Sequence, residues 1–209
     1  MAVTSIWSIK GWIGKVINYA ENPDKTKEQM NQELVSENET GQLQGLNDVI
    51  TYAVNAEKTR REQSESVETE LVGAAEELME QYVSGVNCAP TTAREEMIAV
   101  KKRFGKEDGI VAFHGYQSFA PGECNPAMAH EIGKKLAEEL WGSQYQVLIA
   151  THLDKANHLH NHFVVNSVSF IDGKRYHRTN QDYRDMRMVS DRLCKEYQLS
   201  VVRQPEQGK

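Results

Sequence analysis

Much that fixes a fold or a cellular address is scarce here. The three cysteines, Cys88, Cys124 and Cys194, are far apart, odd in number and form no C-x-x-C pair. That removes a disulfide framework and a cysteine zinc site. Reduced thiols fit a cytoplasm, and small buried side chains are role enough for all three. No apolar run approaches the ~18 residues needed to span a bilayer, and no signal peptide opens the chain. A soluble cytoplasmic protein without a membrane partner is expected. Hydrophobic residues make up only 39% of the 209, below the globular average. One domain with a long solvated insertion fits that length and composition.

A net charge of −6 argues against a nucleic-acid binder until its distribution is read. Residues 21–80 hold 15 acids against 5 bases, a balance of −10, so the remainder carries +4. Residues 94–106 contribute +3, and residues 174–203 contribute +4 from eight bases and four acids. An acidic back and a basic face are thus compatible with DNA as a partner.

Strand-forming residues fill 3–9, 109–119, 145–152 and 159–170, with a short strand at 199–202. Helical spacing of apolar residues runs through 11–20, 66–82, 91–104, 126–141 and 181–197. Asn22-Pro23 ends the first helix, Gly105 and Gly142 close two others, and Asp172-Gly173 is a hairpin turn. Residues 27–47, rich in Gln, Asn and Glu, read as a mobile loop. VINYAENPDKT at 16–26 is echoed by VITYAVNAEKT at 49–59, which makes Tyr52 a rival for any role given to Tyr19. Hairpins mixed with helical crossovers predict an α+β fold, a mostly antiparallel central sheet with helices on one face.

Four of the seven histidines crowd THLDKANHLHNHFVVN: His152, His158, His160 and His162. Alternate side chains of a strand share a face, so His160 and His162 point the same way, and an early strand start adds His158. His152 ends the preceding strand and approaches across the loop. Three neutral imidazoles from adjacent strands suit a divalent cation with positions left for substrate; His158 as a fourth ligand would instead make a closed structural site. Asp154 either favours the turn or orients a liganding histidine.

A cation beside a phosphodiester withdraws charge and positions phosphorus for in-line attack. Tyrosine is the nucleophile suited to reversible strand cutting, because its phosphate ester conserves the bond for later attack by the freed hydroxyl. Among eight tyrosines, Tyr19 stands at the end of a short helix beside a polar loop, accessible yet anchored.

The histidine segment resembles the motif of the relaxase/mobilisation nucleases, the HUH endonucleases that initiate conjugation, and is most similar to MOBP-type relaxases of Gram-positive conjugative elements. HGYQSFAPGE at 114–123 resembles the family's Ser-Phe strand motif, and VINYAENPDKT its first, tyrosine-bearing motif. The three lie in family order over about residues 3–202. The resemblance implies metal ligands at His152, His160 and His162, with His158 as substitute or fourth ligand, a trailing asparagine at Asn166, and Tyr19 as nucleophile. Asp154 would position a ligand or accept the proton. It implies the HUH relaxase fold, Mg²⁺ or Mn²⁺ as cofactor, and single-stranded DNA at a transfer origin beside a hairpin as substrate. A covalent 5′-phosphotyrosine and a free 3′ hydroxyl would result. Auxiliary relaxosome proteins and a coupling protein are the partners it implies. A catalytic domain over 1–203 is expected, with the polar tail 204–209 leading toward a further C-terminal region.

DNA-contact candidates are Ser118, the helix start near Asn180, and Arg94, Lys101, Lys102, Arg103, Arg178, Arg184 and Arg187. Tyr116, Phe119 and Tyr176 are candidates for base stacking. Three rivals remain. A rolling-circle replication initiator would use a tyrosine after the histidines, Tyr183; a cupin-like oxygenase would use H-x-H among many short strands; a zinc-stabilised DNA-binding module would not be an enzyme.

Overall fold

A computed structural model describes residues 2–10, 46, 49–54, 59–61, 80–153 and 159–201. Among these residues the main sheet has five strands in the order β1-β5-β7-β6-β4. They are β1 (Val3–Lys10), β4 (Val83–Val86), β5 (Ile110–Ser118), β6 (Val147–His152) and β7 (His160–Asn166), and all neighbours are antiparallel. Two-residue strands β2 (Arg60–Arg61) and β3 (Glu80–Gln81) pair separately. The helices among the described residues are α1 (Ala93–Arg103), α2 (Pro126–Trp141) and α3 (Asn180–Glu196), with a helical turn at 49–53. The α+β expectation holds.

Local chemistry sets the boundaries. Asn125 caps α2 by accepting from the Met128 amide at 2.8 Å, with Pro126 in the first turn, where its missing N–H costs nothing. Thr179 and Asp182 form a capping box at the start of α3, satisfying two donors that a helix end otherwise leaves open.

Helices cover both faces of the sheet, not one as expected. Ile6, Phe113, Ile149, Phe163 and Val165 pack with α2 and α3 residues such as Ile132, Leu136, Met186 and Leu193. On the other face Ile9, Leu148, Ala150 and Val164 meet Val49, Ile50 and Ala53 of the helical turn and Ala93 and Met97 of α1. The physical sign lies in β6 and β7, where Val147–Ala150 and Phe163–Val165 are unbroken buried apolar runs, the pattern of strands shielded on both sides.

Three further expectations change. The helix drawn to residue 82 gives way to strand at Glu80–Gln81 and Val83–Val86. Leu46, placed in the 27–47 loop, is fully buried in the second core; residues 27–45 lie outside the described ones, as does the 11–20 helix. In place of a strand at 199–202, Val201 makes a single parallel bridge to Ala2.

Lys101 is the least conventional member of the interior. It is fully buried and donates to the side chain of Asn166 on β7, which in turn donates to Gln146 Oε1 at 2.9 Å. It is therefore no DNA contact: Ala93, Met97 and Lys101 lie at four-residue spacing on the buried stripe of α1. Burial, helped by the charge of Arg175, pulls its pKa down to about 7, against about 10.4 in an unfolded chain. Between those values the unfolded chain holds a proton that the folded chain has released, so folding stability rises with pH across that window. Urea unfolding at pH 7 and pH 9 is expected to show this gain in the natural chain, and Lys101→Met is expected to lose it. Equal gains in both would contradict the assignment.

Candidate active site

The site stands at the sheet end where β6 stops and β7 begins. Their pairing sets His152 directly opposite His160 and Ala150 opposite His162, so the three imidazoles share the face under the helical turn 49–53. One ring nitrogen from each lies within 4.8 Å of the others. Ring centroids are 4.1 Å apart for His152–His162, 4.9 Å for His160–His162 and 5.2 Å for His152–His160. Three imidazole nitrogens at this spacing, two of them on buried residues, are a donor set for a borderline divalent cation when the rings are neutral. His158 and Asp154 lie outside the described residues.

Two of the rings are tethered from behind. His152 Nε2 meets the Ala53 carbonyl at 3.1 Å. A carbonyl can only accept, so this nitrogen carries the proton and the lone pair of the neutral ring sits on Nδ1. His162 Nδ1 lies 2.9 Å from Nε2 of His114, a buried residue on β5. Burial, then the charge of His152, pushes the His114 pKa down to about 4. Trp7 packs edge-on against His114 at 4.8 Å. His114 went unnamed as a site residue in the sequence reading, although His114, Tyr116 and Ser118 alternate along one strand beside the H-x-H strand.

Tyr52 closes the site from above. Its half-buried ring stands edge-on to His162 at 5.3 Å, His152 at 5.4 Å and His114 at 6.0 Å. Sequence reading named it only as a rival through the internal echo. Tyr19 lies outside the described residues.

On the opposite face the residues between the histidines form a polar relay. Ser84 Oγ meets His130 Nε2 at 2.7 Å, and His130 Nδ1 meets Thr151 Oγ1 at 2.8 Å. Thr151 donates to Asn161 Oδ1 at 2.6 Å. Asn161 Nδ2 donates to Gln117 Oε1 at 3.0 Å and to the Ala129 carbonyl at 2.7 Å, and Gln117 donates to Ser190 at 2.7 Å. These side chains satisfy one another, and Thr151, Asn161, Gln117 and Ser190 are buried, where an unpaired polar group is costly. Gly133 on α2 allows the approach, since a Cβ there would sit 2.5 Å from Asn161 Nδ2.

The remaining candidates scatter. Ser118 pairs with His160 across β5 and β7, at the site. Lys102 and Arg103 are exposed at the end of α1, whose Met97 carbonyl and Lys101 reach Asn166. Asn166 is four residues along β7 from His162, roughly 13 Å at strand rise. Arg94 pairs with Glu95 at 3.3 Å, and Arg184 bonds Gln181 on its own helix. Arg178 donates to the Ile6 carbonyl at 3.0 Å, and Arg187 is half-buried on α3. Phe119 is core at 1% exposure, which removes it as a stacking surface. Tyr176 packs edge-on to Phe113 at 4.8 Å, and Tyr116 is half-buried opposite His162. Burial raises all three cysteine pKa values, Cys88 to about 12 and Cys124 and Cys194 to about 11, so none offers a ready thiolate.

Residues 52–199 match the family model described as a MobA/VirD2-like relaxase nuclease domain. That span is well over half of the chain and runs from Tyr52 through the histidines to the end of α3. The chain belongs to this relaxase family. It is similar to protein rlx of Staphylococcus aureus, 41% identical over 120 residues that cover 57% of this chain and 37% of that one. It is also similar to the group II intron-interrupted relaxase LtrB of Lactococcus lactis subsp. cremoris strain MG1363, 38% identical over 72 residues, covering 34% of this chain and 13% of that one. Among solved structures, a chain from work on the molecular basis of vancomycin resistance transfer in Staphylococcus aureus aligns over 58% of this chain and 73% of its own. Its TM-score is 0.43 at 17% identity, too distant to carry an argument. The chain spans well under half the length of the curated relatives it matches.

Two apolar clusters form the core of this relaxase domain, so a cation held by the three histidines would add to a core that these side chains already make. Saturation at about a hundred times Kd would add only about 3 kcal/mol by linkage, so chelation is expected to lower the melting temperature while leaving a cooperative transition. Loss of the folded baseline on adding EDTA, followed by circular dichroism, would instead mark a structural zinc module.

Proposed function

We propose that this chain is the DNA-nicking and rejoining domain of a relaxase, acting on one strand at a transfer origin through a covalent phosphotyrosine. The observation that carries the reading is a phenol, Tyr52, packed against His152 and His162, two of the three histidines whose nitrogens can share one cation, all inside the region that matches the nuclease family. Residues 1–203 are the catalytic domain in this reading. Its substrate is single-stranded DNA beside a hairpin, its setting the cytoplasm, and its partners are auxiliary relaxosome proteins and a coupling protein.

His152, His160 and His162 would hold Mg²⁺ or Mn²⁺. The cation's contribution is Lewis-acid polarisation of a non-bridging phosphate oxygen. The chain supplies the rest. The tyrosine oxygen bonds to phosphorus as the bond to the 3′ oxygen breaks, and the phenolic proton ends, directly or by relay, on the departing 3′ hydroxyl. Rejoining is the same exchange in reverse. Ser118, which pairs with His160 across β5 and β7, would contact a backbone phosphate, and Arg178 and the exposed cations of α1 and α3 would contribute long-range attraction. Asp154 is kept as a ligand-orienting or proton-accepting residue.

Tyr52 is the nucleophile this geometry favours. Tyr19 is the second reading, favoured by the resemblance of VINYAENPDKT to the family's tyrosine motif. The rolling-circle assignment of Tyr183 fits poorly: its hydroxyl donates to the Thr4 carbonyl, and α3 packs on the face away from the histidines. A cupin-like oxygenase does not fit a five-stranded sheet covered by helices on both faces.

The test is covalent capture. Labelled single strands tiling the transfer origin are incubated with the chain and Mn²⁺, and protein–DNA adducts are resolved on a denaturing gel. Tyr52→Phe is expected to lower adduct formation on the order of a thousandfold or more, as nucleophile removal does elsewhere, with Tyr19→Phe close to the natural chain. The reverse pattern assigns Tyr19, and no adduct with any strand overturns the nuclease reading.

A further inference from the structure

Resting on that metal reading, one buried residue outside the ligand triad acquires a role. His114 lies on β5 opposite Val164, one diagonal step from His162 on β7. It is 5% exposed, and it is not among the three residues whose nitrogens converge. Its Nε2 approaches His162 Nδ1 at 2.9 Å. Trp7 stands edge-on to it at 4.8 Å on the β1 side and Tyr52 at 6.0 Å above, so its ring is wedged on both flanks.

We propose that His114 is a positioning residue for the metal centre: its Nε2 accepts a hydrogen bond from His162 Nδ1–H and thereby commits the lone pair of His162 to Nε2. A neutral imidazole has one donor and one acceptor nitrogen, and the partner of one decides the state of the other. The Ala53 carbonyl does this for His152, in the opposite sense, selecting Nδ1. Two ligands of one site thus have their tautomers set by two different elements, the helical turn and β5. Without the acceptor at 114, His162 would divide between tautomers and ring rotations, and part of its population would offer an N–H where a lone pair is needed. Outer partners of liganding histidines act in this way in metal sites generally.

Two measurements on the whole chain test this. The first is Mn²⁺ affinity by electron paramagnetic resonance titration, with the melting temperature of the metal-free protein taken alongside. His114→Leu is expected to weaken Mn²⁺ binding about 10- to 100-fold, while His114→Gln, whose amide oxygen can still accept, stays within about threefold of the natural chain. A purely packing role would lower the metal-free melting temperature of His114→Leu and leave the affinity of the folded protein unchanged. Unchanged affinity in His114→Leu, or Gln as weak as Leu, overturns the proposal. The second uses the unmutated chain, so a variant that fails to fold does not stop it. Long-range ¹H–¹⁵N correlation of the metal-free protein is expected to show His162 protonated on Nδ1, and protonation on Nε2 overturns the proposal. A natural chain that binds no Mn²⁺ removes the metal reading and this inference together, whereas normal binding with an indifferent His114→Leu removes this inference alone.

Discussion

The register between β6 and β7 is the constraint on which the rest depends. With His152 opposite His160 and Thr151 opposite Asn161, the histidines fall on one face and a set of hydrogen-bonding side chains falls on the other. A slip of one residue would exchange the two sets. It would drive imidazoles under α2 and strand Asn161 beneath the helical turn, away from Thr151, Gln117 and the Ala129 carbonyl. The relay from Ser84 to Ser190 therefore does more than fill space. It ties β4, β6, β7 and β5 to both helices of that face, and makes wrong pairings costly because each would bury unsatisfied polar atoms.

The same register gives the site its asymmetry. Below the histidines the interior is closed by α2 and α3. Above them the helical turn 49–53 contributes a phenol and a backbone carbonyl, while β5 contributes His114. The phenol and the Ala53 carbonyl thus come from a chain segment about a hundred residues away from the imidazoles they meet. Such a site is assembled only when both cores have formed, which is consistent with Val49, Ile50 and Ala53 being buried on the sheet beside Ala150 and Val164.

What could be read in the sequence followed local periodicity. H-x-H at 160–162 and the strand ending at His152 announced the shared face, and Asn125-Pro126 and Gly142 bracketed α2 closely. Long-range pairing left weaker marks. The placement of Tyr52 had only the echo of VINYA in VITYA to suggest it, and no local pattern says which copy meets a strand a hundred residues on. β4 was hidden because VSGV is short and carries a glycine. Lys101 was misread as a surface cation because charge outweighed position, although its spacing from Ala93 and Met97 marked the buried stripe. The second helical layer was legible in principle, since LIA and FVV lack the polar alternation of a one-sided sheet.

The central claim is that one divalent cation is shared by His152, His160 and His162. Diffraction from crystals grown with Mn²⁺, collected at the manganese absorption edge, tests it most directly. The account predicts a single strong anomalous peak bonded to one nitrogen of each of these three residues, Nδ1 in the case of His152 and Nε2 in that of His162. A peak centred on other side chains, or none at this end of the sheet in crystals saturated with the ion, would contradict it.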